Sequence, residues 1–211
     1  MPSRPRSTAA RHDRRRASAA RRGSARARLL EAAAGLFYAE GIAATGIDTV
    51  IAEAGVAKMS LYNNFSSQEE LVLAYLESRH QEWMELYRHR AQGAVSPEDG
   101  VLAVFDAYLD HAEAAYVHAF RGCGLLNAAA ELPAGARGRE AVRRHKEEVE
   151  EVLAAHLERL APRPLAQETA EQLSFLLEGA MSRAGLDGGP DRLRRARGMA
   201  ERILAGLGRE P

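Results

Sequence analysis

Lys58, Met59, Ser60, Tyr62, Asn63 and Asn64 fall within one short stretch and combine hydrogen-bond donors with a flat aromatic ring. Phosphate oxygens and the edges of bases need such a set: donors for the backbone, and amides or apolar tips for the grooves. Val56, Leu61 and Phe65 punctuate the same stretch and are expected to pack inward on Leu36, Phe37, Ile47, Val50 and Ile51. Other chemistry is less well supplied. Cys123 with His111 or His118 would be the nucleophile and base of a cysteine hydrolase, yet no nucleophile elbow, paired-carboxylate motif or phosphate loop accompanies them. His145 and His156 share an apolar stripe with Val142, Val149 and Val152, but about 16 Å of helix between them prevents their sharing one ion. Neither a metal nor a cofactor is expected, and the chain is not read as an enzyme. As a redox switch, Cys123 would need a lowered pKa and solvent access; its Leu- and Ala-rich setting argues for burial instead.

The elements that position the first set read as helices. Leu29, Ala33, Leu36, Phe37 and Glu40 keep a spacing near 3.6, and Gly41 supplies a stop. Ile47, Val50, Ile51 and Ala54 follow the i, i+3, i+4, i+7 pattern up to Gly55, and a short third segment runs from Ala57 to Asn64. Two short helices about a tight glycine turn have the proportions of a helix-turn-helix, although spacing alone also fits an αα-corner. Ser67 and Glu70 make a capping box for a long helix carrying Leu71, Val72, Tyr75, Leu76, Trp83, Leu86 and Tyr87. Further helices are expected at about 98–117, 121–131, 136–160, 165–185 and 190–207, separated by proline and glycine clusters. No stretch alternates with period two for long enough to form a strand. The fold class is therefore all-α, with a small N-terminal module and a larger helical domain.

A net charge of zero hides a steep asymmetry. Residues 1–28 hold ten arginines against Asp13, a balance of +9, so the remaining chain stands at −9. Residues 1–23 form an Arg-, Ala-, Ser- and Pro-rich arm, expected to be disordered in isolation and suited to a polyanionic partner. Residues 29–76 hold only Lys58 against Glu31, Glu40, Asp48, Glu53, Glu69 and Glu70, a balance of −5. One cysteine cannot form an internal disulfide, and no run approaches the roughly 20 apolar residues of a membrane span. A cytoplasmic protein without membrane attachment is expected.

From Gly46 to Leu71 the sequence Gly-Ile-Asp-Thr-Val-Ile-Ala-Glu-Ala-Gly-Val-Ala-Lys-Met-Ser-Leu-Tyr-Asn-Asn-Phe-Ser-Ser-Gln-Glu-Glu-Leu closely resembles the signature of the tetracycline-repressor (TetR) family. Ala-Gly-Val, Leu-Tyr-x-x-Phe and the Ser-Ser start of the next helix all fall in register. The resemblance implies that Tyr62 and Asn64 contact phosphate, that Lys58, Met59, Ser60 and Asn63 approach bases or backbone, and that Thr45 and Gly46 meet phosphate at a helix N-terminus. Asn64 stands where a histidine is common and Gln68 where a lysine is common, so positive charge is lost at both. With a module this acidic, the arginine arm is expected to supply much of the electrostatic affinity, by following the backbone or entering the minor groove.

The resemblance also implies a homodimer, bound to double-stranded operator DNA and released by a small hydrophobic inducer. A regulator without an inducer, or an activator, is the alternative. The expected domains are the arm at 1–23, the DNA-binding module at 24–70 and a ligand-binding and dimerisation domain at 71–211. Leu173, Leu176, Leu177, Ala180 and Ala184, with Leu193, Ala196, Ala200, Ile203, Leu204 and Leu207, form apolar stripes on the last two helices. Such stripes suit either a core or a four-helix bundle between two copies. Trp83, Tyr87, Phe105, Tyr108, His111, Tyr116, Phe120, Cys123, Asn127, Phe175 and Met181 are candidates for an aromatic inducer pocket. The stretch from Phe120 to Glu131 resembles a motif of one branch of the family, and places Cys123 and Asn127 one helical turn apart.

Overall fold

A computed structural model describes residues 24–113 and 120–207. Among them are nine helices: α1 (Ala25–Glu40), α2 (Ile47–Ala54), α3 (Lys58–Tyr62), α4 (Gln68–Ala91), α5 (Pro97–Glu113), α6 (Gly124–Glu131), α7 (Arg137–Leu157), α8 (Arg163–Asp187) and α9 (Asp191–Leu207). No strand occurs among the described residues. The arginine arm, Tyr116 and His118 lie outside the described residues. The chain divides into two compact units between Leu71 and Val72.

In the first unit, Ser24 caps α1 by accepting from the Ala27 N–H at 3.2 Å. Leu29, Ala32, Ala33 and Phe37 then bury one face of the helix. Gly41 ends it, its N–H donating to the Phe37 carbonyl at 3.1 Å. Gly55 closes α2 with φ 59°, and the N–H groups of Gly55 and Val56 return to Ala52 and Ile51. A side chain there would meet the left-handed penalty of roughly 1–2 kcal/mol. The third helix is shorter than its sequence pattern, closing at Tyr62, because the N–H groups of both Asn64 and Phe65 turn back to the Leu61 carbonyl. Leu61 and Phe65 are each 1% exposed, and full burial of such a side chain contributes about 1.5–3 kcal/mol. The expected capping box forms with a one-residue shift. The Glu70 N–H donates to Ser67 Oγ at 3.1 Å, while the Glu70 carboxylate takes the Ser66 N–H at 2.6 Å.

In the second unit, α5 packs on α7 and α9, α8 lies against both α7 and α9, and α6 rests on α7. Val104, Phe105 and Tyr108 of α5 meet a core supplied by Val149 and Leu153 of α7 and by Leu173, Leu177 and Met181 of α8. The approach of α5 to α7 is close: a β-carbon on Gly100 would fall 2.2 Å from the His156 ring. The segment expected to be helical from 121 starts at Gly124 instead, because Gly122 takes φ 82°.

This packing corrects the expected dimer contacts. Leu173, Leu177, Ala184, Leu193, Ala196, Ala200 and Leu204 are buried in the unit's own core, since α8 and α9 turn their richest stripes toward each other and toward α5 and α7. Leu176, Ala180, Ile203 and Leu207 remain half-exposed. The outward apolar face adds Phe175, Leu186 and Met199, which were not assigned to it.

Candidate nucleic-acid interface and polar core

The reading residues ride on α3, held by Leu61 on its inner side. Helical geometry turns 100° per residue, so Met59 and Asn63, one turn apart, point almost directly away from Leu61. The Asn63 N–H to Met59 carbonyl bond of 3.0 Å confirms that helical step. Met59 is 66% and Tyr62 51% exposed, and Asn63 is also exposed.

The polar neighbours are less free than their types suggest. Lys58 Nζ donates to Asp48 Oδ1 at 2.9 Å, and this partnership raises the lysine's pKa. Asn64 Nδ2 donates to the Ser60 carbonyl at 2.6 Å, folding its amide onto α3. Ser60 is half-buried. Thr45 corrects its expected role: it is 2% exposed, and its hydroxyl donates to the Gly41 carbonyl at 2.6 Å, fixing the α1–α2 turn. Gly46 is exposed at the N-terminus of α2, which no side chain caps. Gln68 Nε2 reaches the Thr45 carbonyl at 3.5 Å.

Two of the ten arginines in residues 1–28 belong to the folded unit. Arg28 Nη1 donates to the Gly55 carbonyl at 3.3 Å, and the Arg26 guanidinium lies 5.1 Å from the centre of the Phe65 ring. Including both, residues 24–71 carry three basic and six acidic side chains, a balance of −3.

In the second unit, Trp83 stacks on Tyr87 with ring centres 5.8 Å apart and touches Tyr108 and His145. Phe105, Phe120, Cys123 and Met181 are buried as well. Tyr87 Oη and His156 Nε2 are 2.8 Å apart, and the Nδ1 atoms of His80 and His145 share a hydrogen bond of 2.9 Å. The last bond requires at least one of the two rings to keep an unprotonated Nδ1. Burial, reinforced by the Lys146 charge, lowers His145 to about 3. Burial first, then Arg79 and Lys146, lowers His111 to about 4. Burial also lifts the Tyr108 phenol well above its ordinary value.

At the centre lies a group that sequence reasoning missed. Lys146 Nζ pairs with Glu178 Oε1 at 2.6 Å, and reaches Tyr108 Oη at 3.3 Å and Cys123 Sγ at 3.6 Å. Burial penalises its charge, but Cys123, Tyr108 and Glu178 together outweigh that and raise its pKa. Glu178 Oε2 and Trp83 Nε1 are buried without a hydrogen-bond partner. The signal lay in the α7 stripe, where Lys146 follows His145 between Val142 and Val149. A lysine there must either reach solvent or find a buried partner.

Cys123 and Asn127 border a pocket of about 330 Å³ together with Gly122, Ser182, Gly185 and Leu186, and none of the described candidate aromatic rings lines it. Asn127 Nδ2 also donates to the Arg121 carbonyl at 3.1 Å. Phe175 corrects its assignment, since at 65% exposure it faces away from the core. Among the described residues, Cys123 Sγ has the Lys146 ammonium within 3.6 Å, and nothing supports the hydrolase reading. No cluster of three or more metal-ligating side chains occurs among the described residues.

An exposed recognition helix set across a glycine turn from α2, followed by a separate helical unit, defines a helix-turn-helix regulator. Residues 29–75 match the family described as bacterial regulatory proteins, tetR family. The chain is 31% identical to a TetR-family transcriptional regulator from Streptomyces coelicolor, over 88% of this chain and 96% of that one, with a TM-score of 0.78. A TetR-type regulator from Streptomyces avermitilis shows 31% identity over the same shares, with a TM-score of 0.69. The chain belongs to the TetR family of DNA-binding transcriptional regulators. It is also 35% identical over 74 residues to the HTH-type transcriptional regulator TtgR of Pseudomonas putida, a match spanning 35% of this chain and 33% of that relative. No described helix is long and apolar enough to cross a membrane.

Proposed function

We propose that the protein is a cytoplasmic, homodimeric repressor whose second unit binds a small, largely apolar effector and whose first unit then releases operator DNA. The observation that carries the effector is the buried polar core: Trp83 Nε1 and Glu178 Oε2 lack partners amid aromatic rings. An unmade hydrogen bond at a buried group costs about 1–3 kcal/mol, which a ligand presenting one acceptor and one donor recovers. Such a ligand favours whichever conformation lets it reach both atoms, and differential affinity for two states is what changes DNA binding.

Dimerisation is supported by the outward apolar face of α8 and α9, where Gln172, Leu176, Met199, Arg202 and Ile203 line a shallow groove of about 430 Å³. In this reading Gly46, Lys58, Met59, Ser60, Tyr62 and Asn63 face the DNA, and Asn64 serves chiefly to shape α3.

Trp83 is the chain's one tryptophan, so its fluorescence reports occupancy directly. Aromatic and heterocyclic compounds titrated into a DNA-bound sample should quench or shift Trp83 emission at the concentrations that release DNA. Release without a Trp83 response places the effector elsewhere, and a complete absence of release across such compounds removes the inducer. Sedimentation equilibrium of the free protein tests the dimer, with Phe175→Glu expected to weaken it.

A further inference from the structure

We infer that the recognition helix selects A·T base pairs, with Met59 packing on the thymine methyl and Asn63 reading the adenine edge. The inference rests on α3 entering the major groove, as the proposed function requires. Three observations lead to it.

First, Met59 of α3 and Asn63, which caps the helix with helical backbone angles, are the two side chains aimed most directly away from buried Leu61, separated by one helical turn. Four residues of helix rise about 6 Å, against roughly 3.4 Å per base-pair step. Their tips therefore address the same or neighbouring pairs. Second, Met59 is 66% exposed. No base in the major groove offers an apolar handle except thymine, through its C5-methyl. The Asn63 amide, with one donor and one acceptor, matches N7 and N6 of adenine.

Third, the usual guanine reader already has a competing partner. Guanine presents two acceptors, O6 and N7, which arginine or lysine satisfies best. The sole cation on α3 is Lys58, and it is drawn aside to Asp48 at 2.9 Å. Asn64, the other amide, is bound back to the Ser60 carbonyl. Tyr62 is exposed on the flank of α3, about 100° from Leu61; what the helix turns directly outward is one apolar tip and one amide, and both suit an A·T pair better than a G·C pair.

The test begins by selecting a binding site for the full-length protein from randomised duplexes. The selected half-site is then rebuilt with uracil for thymine, or with 7-deazaadenine for adenine, one position at a time. Losing one buried methyl contact at about 0.8 kcal/mol corresponds to roughly fourfold weaker binding for the uracil duplex. Losing one of two bonds to adenine is expected to cost about tenfold. Met59→Ala should bind the thymine and uracil duplexes equally while keeping the 7-deazaadenine penalty, and Asn63→Ala should do the reverse. Both sites are exposed, and circular dichroism checks that each variant is folded.

Selection of G·C pairs opposite α3 overturns the inference, as does a uracil penalty that persists in Met59→Ala. If the wild type selects no sequence at all, the groove-entering reading itself fails, which is a separate outcome from selecting the wrong bases.

Discussion

Lys58 and Asp48 form an ion pair that joins the first residue of α3 to the second residue of α2, with a contact of 2.9 Å between two largely exposed side chains. Exposed pairs are weak, so a phosphate can compete for the lysine, but the carboxylate stays beside the DNA whichever partner Lys58 takes. Asp48 therefore offsets the one cation of the recognition helix. Asp48→Asn should tighten DNA binding and steepen the dependence of log affinity on log salt by about 0.9, the effect of one added phosphate contact. Lys58→Met should then flatten the slope far more in the Asp48→Asn background than in the native one. Equal effects in both backgrounds would show that the pair does not restrain Lys58.

The balance of −3 over residues 24–71 makes a second electrostatic prediction. Residues 1–22 hold eight arginines and one aspartate, a concentration of charge that the helix-turn-helix itself lacks. Deleting them should lower affinity at moderate salt and flatten the salt slope by several units, since each neutralised phosphate contributes about 0.9. A slope that does not change assigns the phosphate contacts to the folded unit alone.

Acid should destabilise the second unit through its histidines. His111 and His145 have native pKa values lowered to about 4 and about 3, below the ordinary 6.5, so the unfolded state binds more protons between those values and 6.5. Their contribution to stability is complete above pH 6.5 and is lost as the pH falls toward 3 to 4. The slope for one such histidine is at most about 1.4 kcal/mol per pH unit. Urea midpoints measured from pH 7 to pH 4.5 should fall, and His145→Phe should make the profile shallower. A pH-independent midpoint would mean that neither ring is held neutral.

A β-carbon on Gly185 would lie 2.7 Å from the backbone of Gly122. Backbone cannot swing aside as a side-chain tip can, so Gly185→Ala is expected to cost about 1–3 kcal/mol. It should also distort the pocket beside Cys123. Thermal unfolding reads the first effect. Gly179→Ala, where no atom lies within 4 Å of the added carbon, is the matched control and should be neutral or slightly stabilising.

Helices and turns were the most legible part of the fold. The Leu29-to-Phe37 stripe, the stop at Gly41 and the left-handed Gly55 all follow from local spacing and backbone sterics, which a sequence carries explicitly. The exposure of Met59 and Tyr62 was legible for the same reason, since Leu61 and Phe65 fix which side of α3 is inside. Pairings between distant positions were not. Nothing in its own helix told Lys58 to turn to Asp48, ten residues away. The stripes of α8 and α9 were identified correctly as apolar, but whether a stripe meets its own unit or a second copy depends on how many neighbours compete for it. Here α5 and α7 take the inner residues first. Lys146 and Glu178 were not legible because each is ordinary on a helix surface, and only their close pairing at half-buried positions makes them unusual.

That half-buried pair bears on how the family can diversify. Removing one member leaves the other charge without its partner, whereas replacing both with well-fitted apolar residues is often neutral. Lys146 and Glu178 should accordingly be inherited or lost together. A lineage that exchanges both would turn a charged lining apolar and, under the proposed function, would change which chemical signals it hears while its DNA-reading helix stays as it was.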